Sequence, residues 1–321
     1  MMLSIIKKSL AVAGIVAVAG TAASAQPTWP TRPISLTVAF AAGGVTDGIA
    51  RQLAFDMSKR LGQEVIVENR GGAGGNIAAQ FVARSKPDGY TLLFASSGPA
   101  AINKLIYKKM PFDPDKDLEP IVLIGIIPQI IVTRKDLPAS NLREFVEYAK
   151  TQPGKLTVGN SGVGTSAHIT AVLFAQQTGI DVTHVPYRGT APLTNDLMGG
   201  QVDVGMPGFF PQTTNLKMLA VTAAERLKAL PDVPTVIETG VSDTVSGLWV
   251  GIMGPTGLPK EVVERVNAAV NAYLKSDDAK KMTDALGMSI LGGTPEEMKA
   301  YMEKEVNRLG PIIEKAGIAI N

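Results

Sequence analysis

Three turns hold most of the residues whose types and spacing point to chemistry: Phe40-Ala41-Ala42-Gly43-Gly44-Val45-Thr46-Asp47, Ser96-Ser97-Gly98, and Ser161-Gly162-Val163-Gly164-Thr165-Ser166. Each follows a short apolar, β-rich run. A strand that ends in Gly or Ser and passes into a helix leaves backbone N–H groups directed outward at the positive end of the helix dipole, which suits a carboxylate. Catalytic constellations are harder to build. Ser166 and His168 are two apart on an expected helix and point in different directions. His168 and His184 read as packing residues, and Asp47 as a helix-start carboxylate. Gly162-Val163-Gly164-Thr165-Ser166-Ala167 imitates a dinucleotide turn, but Asp181 precedes the next apolar run instead of ending it. There is no G-x-x-x-x-G-K-[ST], H-E-x-x-H or G-x-S-x-G. With no cysteine and only two histidines, no metal or other cofactor is expected.

The elements that must position these turns alternate between strand and helix. Ile34 to Phe40 reads as a strand, followed by a helix with Ile49, Leu53, Met57 and Leu61 on one face. Glu64 to Glu68, a glycine loop at Gly71 to Gly75, a helix at Asn76 to Arg84 and a strand at Tyr90 to Ala95 complete a βαβαβ unit. Its ligand face lies beyond the carboxyl ends of the strands. After the apolar run Ile121 to Thr133 come a helix near Leu142 to Ala149, a strand at Leu156 to Gly159, a helix at Ser166 to Thr178 and a strand at Asp181 to Tyr187. Helix Ala191 to Met198 and strands Val202 to Met206 and Leu216 to Val221 finish a second α/β half. A strand near Leu248 to Met253 and helices at Glu261 to Lys275 and Pro295 to Ala316 close the chain; Thr294-Pro295-Glu296-Glu297 opens the last.

At 321 residues the chain is long enough for two domains, and an apolar fraction of 45% excludes a disordered polymer. Residues 1–25 read as an export signal, with Lys7 and Lys8 before the uncharged run Ser9 to Ala23 and small residues at Ala23-Ser24-Ala25. Cleavage after Ala25 leaves Gln26 first and balances 29 basic against 29 acidic residues. A neutral chain with 5% aromatic residues lacks the basic, stacking surface of a nucleic-acid binder.

Taken together, Val67-Glu68-Asn69-Arg70-Gly71-Gly72-Ala73-Gly74-Gly75-Asn76, Pro87-Asp88-Gly89-Tyr90-Thr91-Leu92, Gly162 to His168, His184-Val185-Pro186-Tyr187 with Gly189, and Ala229-Leu230-Pro231-Asp232-Val233-Pro234-Thr235 resemble the Bug family. These are the extracytoplasmic solute receptors of tripartite tricarboxylate transporters, and the resemblance spans residues 30 to 318. It implies a periplasmic, two-lobed binding protein of type II-like fold, each lobe a mainly parallel sheet flanked by helices, and a monomer is the expected state. Such a protein closes on an organic carboxylate and hands it to a membrane permease.

By position, the resemblance places the ligand against Phe40, Ala41, Ala42, Gly43 and Asp47, with Ser96, Ser97 and Gly98, and opposite them Ser161, Thr165, Ser166 and His168. The expected lobes are 26–125 plus 224–321 and 126–223, with crossings near Gly125 to Gln129 and Val221 to Ala224. The chain departs from the family after Gly199-Gly200-Gln201-Val202-Asp203, where Pro207 stands in place of an expected ligand-facing acid. Phe209 and Phe210 then offer apolar area, and Arg188 a second anion contact, so that a dicarboxylate or an aromatic acid without an α-amino group is the expected ligand. An α/β enzyme acting on a carboxylate, without an identifiable base and nucleophile, and a receptor for a two-component kinase remain the other readings.

Overall fold

The structure, a computed structural model, describes residues 29–315 and 317–319. The expected export signal and its cleavage site lie outside them. The strands are β1 (Ile34–Val38), β2 (Val65–Asn69), β3 (Thr91–Ser96), β4 (Leu118–Pro128), β5 (Ile130–Thr133), β6 (Thr157–Asn160), β7 (Thr183–Pro186), β8 (Val204–Gly205), β9 (Lys217–Val221), β10 (Gly247–Pro255) and β11 (Ser289–Ile290). The helices are α1 (Val45–Leu61), α2 (Asn76–Ala83), α3 (Asn103–Ile106), α4 (Pro114–Asp117), α5 (Leu142–Lys150), α6 (Ser166–Thr178), α7 (Thr190–Met198), α8 (Lys260–Leu274), α9 (Asp277–Leu286) and α10 (Pro295–Lys315).

Two sheets define two lobes. The first has the order β11-β4-β10-β3-β1-β2 and the second β7-β6-β8-β5-β9. Strand β1 pairs in parallel with β2 and β3, and β6 in parallel with β7 and β8, as right-handed βαβ crossovers require. Antiparallel pairing is confined to ladders containing β10, β11 or β5. Strands β10 and β5 run against their neighbours because each enters its lobe from the hinge end. The fold is thus α/β and two-lobed, with mainly parallel strand directions.

The outward crossing falls at the end of the expected Gly125 to Gln129, while the return crossing differs from the expectation. Strand β4 keeps its partners in the first sheet as far as Pro128, so the outward crossing is Gln129. After β9 the chain does not return at Val221 to Ala224. Leu230, Val233, Val236 and Val241 pack against the second lobe's apolar clusters, and the chain rejoins the first sheet at Gly247. Residues 222–245 are turn-rich without apolar periodicity, so the sequence carried no signal of which lobe they cover.

Each lobe has its own core. Ile34, Leu36, Ile49, Leu53 and Val250 belong to a first-lobe cluster, and Phe145, Phe174, Val158 and Val204 to one in the second. A further cluster joins the lobes. Ile169 of α6 is buried against Ile102, Ile106, Leu309 and Ile313 of the first lobe, which fixes the N-terminal end of α6 beside the cleft.

Candidate functional site

The carboxyl ends of β1, β3 and β6 converge on the interface between the lobes. The loop after β1 reaches across: Ala41 N–H donates to Arg188 O at 3.0 Å. Asp47 braces this loop and holds no free oxygen for a ligand. Its carboxylate accepts from Gly43 N–H at 2.9 Å, Asn69 Nδ2 at 2.9 Å and Arg51 Nε at 3.0 Å. Burial opposes ionisation of Asp47, but the hydrogen bonds from Arg51, Gly43 and Asn69 prevail and hold its carboxyl below the usual carboxylate range. Asn69 Nδ2 also donates to Phe40 O, closing the brace. Helix α1 has Gly44 as its N-cap, with no side-chain cap on its first N–H groups at the loop.

Beyond β3 the chain enters a π-type turn, Gly98–Ile102. Ser96 and Ser97 are each 1% exposed, and neither hydroxyl has a partner among the described residues. Opposite them, Asn160 ends β6 fully buried; its Oδ1 accepts from Gly162 N–H at 3.0 Å, while its Nδ2 has no partner among the described residues. A buried polar group left unpaired costs about 1–3 kcal/mol, so three at converging strand ends are groups that a polar ligand or water would satisfy. Ser161 is half-buried beside them.

Thr165 caps α6 fully, accepting from His168 N–H at 3.3 Å and donating to Gly162 O at 2.7 Å, so its hydroxyl is not available to a ligand. Ser166 Oγ accepts from Gln129 Nε2 at 2.8 Å. His168 Nδ1 accepts from Gly164 N–H, and its ring meets His184 edge-on at 5.8 Å. Burial, and secondly the nearby His184, push the His168 pKa down to about 4; burial also lowers that of His184. Both rings are therefore neutral near pH 7.

Arg188 engages the first lobe through its carbonyl, while its exposed side chain borders an open cavity of about 400 Å³ with Gly71, Ile77, Tyr107 and Val163. Pro207 accepts from Ile130 N–H at the hinge. The expectation that Phe209 and Phe210 furnish a ligand surface is corrected: Phe209 is 4% exposed in the second lobe's core with Ile130 and Leu193, and Phe210 is 4% exposed in the first lobe's core with Val45 and Ile127. Of the residues that sequence reading placed at one interface, the loop after β1 meets Arg188 at Ala41 and the turn after β3 approaches the Gly164 carbonyl at Gly98.

Three residues escaped the sequence reading. Asn160 is the polar end of an apolar strand, and Gln129 the one amide within the apolar run 121–133; both were findable signals. Asn103 donates to Gly74 O at 3.3 Å and to Asn76 Oδ1 at 2.6 Å from a helix the pattern did not show. A side chain on Gly164, whose φ is +86°, would collide with Asn103 Oδ1.

Two α/β lobes with their strand ends facing one another across such a cleft define the class of two-lobed solute-binding proteins. Residues 49–318 match the tripartite tricarboxylate transporter family receptor model, and the chain belongs to that family. It is 34% identical to the protein BugT of Bordetella pertussis over 316 residues, covering 96% of this chain and 97% of BugT. It is also 34% identical to a UPF0065 protein from the tcbD-tcbE intergenic region of Pseudomonas sp. strain P51, covering 91% of this chain and 89% of that protein. Among solved structures, the periplasmic binding protein BugD superposes with a TM-score of 0.86 at 36% identity, covering 91% of this chain and 99% of BugD. R. palustris Rpa4515 with adipate gives 0.87 at 36% over 91% and 99%, and MatC of Rhodopseudomonas palustris with bound malate gives 0.84 at 32% over 89% and 100%.

Proposed function

We propose that this chain is a periplasmic receptor, not a catalyst, which captures a small dicarboxylate lacking an α-ammonium group between its lobes and delivers it to the membrane subunits of a tripartite tricarboxylate-type transporter. The observation that carries the reading is the trio Ser96 Oγ, Ser97 Oγ and Asn160 Nδ2, buried and unpartnered among the described residues at the strand ends. All three can donate to carboxylate oxygens, and the α1 N-terminus adds N–H groups that no side chain caps and a favourable dipole.

Selectivity follows from the acids. Asp47 is engaged by Arg51, Asn69 and Gly43, Asp196 accepts from Tyr187 Oη at 2.8 Å, and Asp203 pairs with Arg134 Nε at 2.9 Å. An ammonium placed in the cleft would meet no free carboxylate from these three, and an unpaired buried charge is strongly disfavoured. An aromatic acid loses its rationale once Phe209 and Phe210 are core residues. The adipate and malate seen in the related receptors support the dicarboxylate class, and the N-terminal signal pattern supports export to the periplasm.

Calorimetric titration of the chain beginning at Gln26 with adipate, malate and glutamate tests the reading. Adipate or malate is expected to bind, with glutamate weaker than the better of the two. Binding of none of them, or glutamate binding tightest, would overturn it.

A further inference from the structure

The outward crossing carries a buried amide that reaches the cleft. Gln129 is 1% exposed, and its backbone is tied to the end of the second sheet: Gln129 N–H donates to Thr222 Oγ1 at 3.1 Å, and Thr222 N–H donates to Gln129 O at 2.9 Å. Thr222 in turn binds the returning crossing, its Oγ1 donating to Ser246 O at 2.8 Å and its carbonyl accepting from Ser246 N–H at 2.9 Å. All three segments that meet at the hinge are therefore hydrogen-bonded through Thr222.

The Gln129 side chain faces both ways from this point. Its Oε1 accepts from Ser246 Oγ at 3.2 Å, and its Nε2 donates to Ser166 Oγ at 2.8 Å. Ser246 Oγ, which also lies 2.6 Å from Thr170 Oγ1, faces the oxygen end of the amide and leaves the nitrogen end toward Ser166. An N–H donor occupies a lone pair of the Ser166 oxygen, and the Ser166 O–H has no acceptor among the described residues. Ser166 is the first residue of α6, at the helix end facing the cleft, where a carboxylate is the natural acceptor.

We infer that Gln129 is a positioning residue that couples ligand to hinge. Its amide orients the Ser166 hydroxyl as a donor toward the bound carboxylate, and through Ser246 it ties that donor to the returning crossing. Closure of the lobes and formation of the Ser166 contact are then one event. This rests on the carboxylate-receptor reading above and adds the element that links binding to lobe movement.

The experiment uses the chain from Gln26 and titrates it with adipate, malate and succinate, reading affinity on the tightest of the three. Gln129→Met keeps the volume but removes the donor; Gln129→Glu keeps the shape but presents an acceptor that turns the Ser166 O–H away from the ligand. Gln129→Met and Ser166→Ala are each expected to weaken binding about tenfold, the scale of one lost hydrogen bond. The double variant is expected to be no weaker than about the worse single, because one residue acts through the other. Gln129→Glu is expected to bind more weakly than Gln129→Met at pH 7.5 and to recover relative to the wild type as the pH is lowered, when the neutral acid can donate again. Melting temperatures without ligand separate this from loss of packing, since a structural role would make affinity follow stability. Losses that multiply in the double variant, or Gln129→Glu binding as well as Gln129→Met, would overturn the inference while leaving the receptor reading intact. A wild type that binds none of the three acids overturns both.

Discussion

The backbone N–H of Ala41 in the first lobe donates to the carbonyl of Arg188 in the second across 3.0 Å. With no side chain intervening, the bond forms only when the two loops are in contact, so it marks the closed arrangement of the lobes. Gly74 makes a similar approach on the same rim: its φ is +61°, and a Cβ there would overlap the Val163 carbonyl oxygen. Gly74→Ala is therefore expected to hold the lobes apart. Small-angle scattering should show the wild type contracting at saturating dicarboxylate and the variant remaining expanded. Affinity in the variant should fall at least about tenfold, with about 1 kcal/mol of added backbone strain. Equal contraction of both proteins would refute this.

Asn160 offers a sharper test of where the carboxylate lies. Asn160→Asp preserves the oxygen that accepts from Gly162 N–H but replaces the free donor with a second anionic oxygen. Binding is expected to weaken by more than the roughly 1–3 kcal/mol of a lost hydrogen bond, because like charges then face one another. Asn160→Ala should show only the smaller loss. The two are compared by calorimetry, and near-identical affinities would mean that Nδ2 does not face the ligand.

How much of this was legible in the sequence depended on whether local pattern or tertiary packing decided the matter. Helix α6 begins at Ser166 and ends at Thr178, as read, because a threonine cap and Gly179 bound an apolar stretch. The turns at Gly43, Ser97 and Ser161 were found from glycine and serine following β-rich runs, a local signal. Helix α9 and the turn at Gly98–Ile102 were missed: α9 is short and rich in charge, and the turn's π-type geometry leaves no 3.6-residue period. The destinations of Phe209 and Phe210 were not locally encoded at all. Adjacent in sequence, they enter the cores of different lobes because the chain is extended at Phe210 and lies beside the hinge residue Gln129, so that successive side chains point to opposite sides.

That division of the two phenylalanines has its own consequence. Phe209→Ala should destabilise the protein by about 3–5 kcal/mol, the usual result of emptying an aromatic core site. The ratio of adipate to malate affinity should stay within about twofold of the wild type, because the ring does not line the cleft. Chemical denaturation and paired titrations measure the two quantities. A stable variant with altered selectivity would return Phe209 to the site.

The histidine pair predicts how stability responds to acid. His168 has its pKa pushed from 6.5 down to about 4, first by burial and then by His184, while its Nδ1 accepts from Gly164 N–H. Unfolded, the imidazole takes up its proton near pH 6.5; folded, it resists until about pH 4. Across that interval the unfolded chain holds more protons, so the contribution of neutral His168 is fully present above pH 6.5 and is lost as the pH falls toward 4. His184, also lowered by burial, acts in the same direction, whereas Asp47 loses its contribution only at lower pH, where carboxylates protonate. His168→Asn removes the titration but keeps an acceptor for Gly164 N–H. Melting temperature measured from pH 7.5 to 4.5 should therefore fall steeply in the wild type and more shallowly in His168→Asn. Parallel curves would show that the ring's proton is not what acid stability depends on.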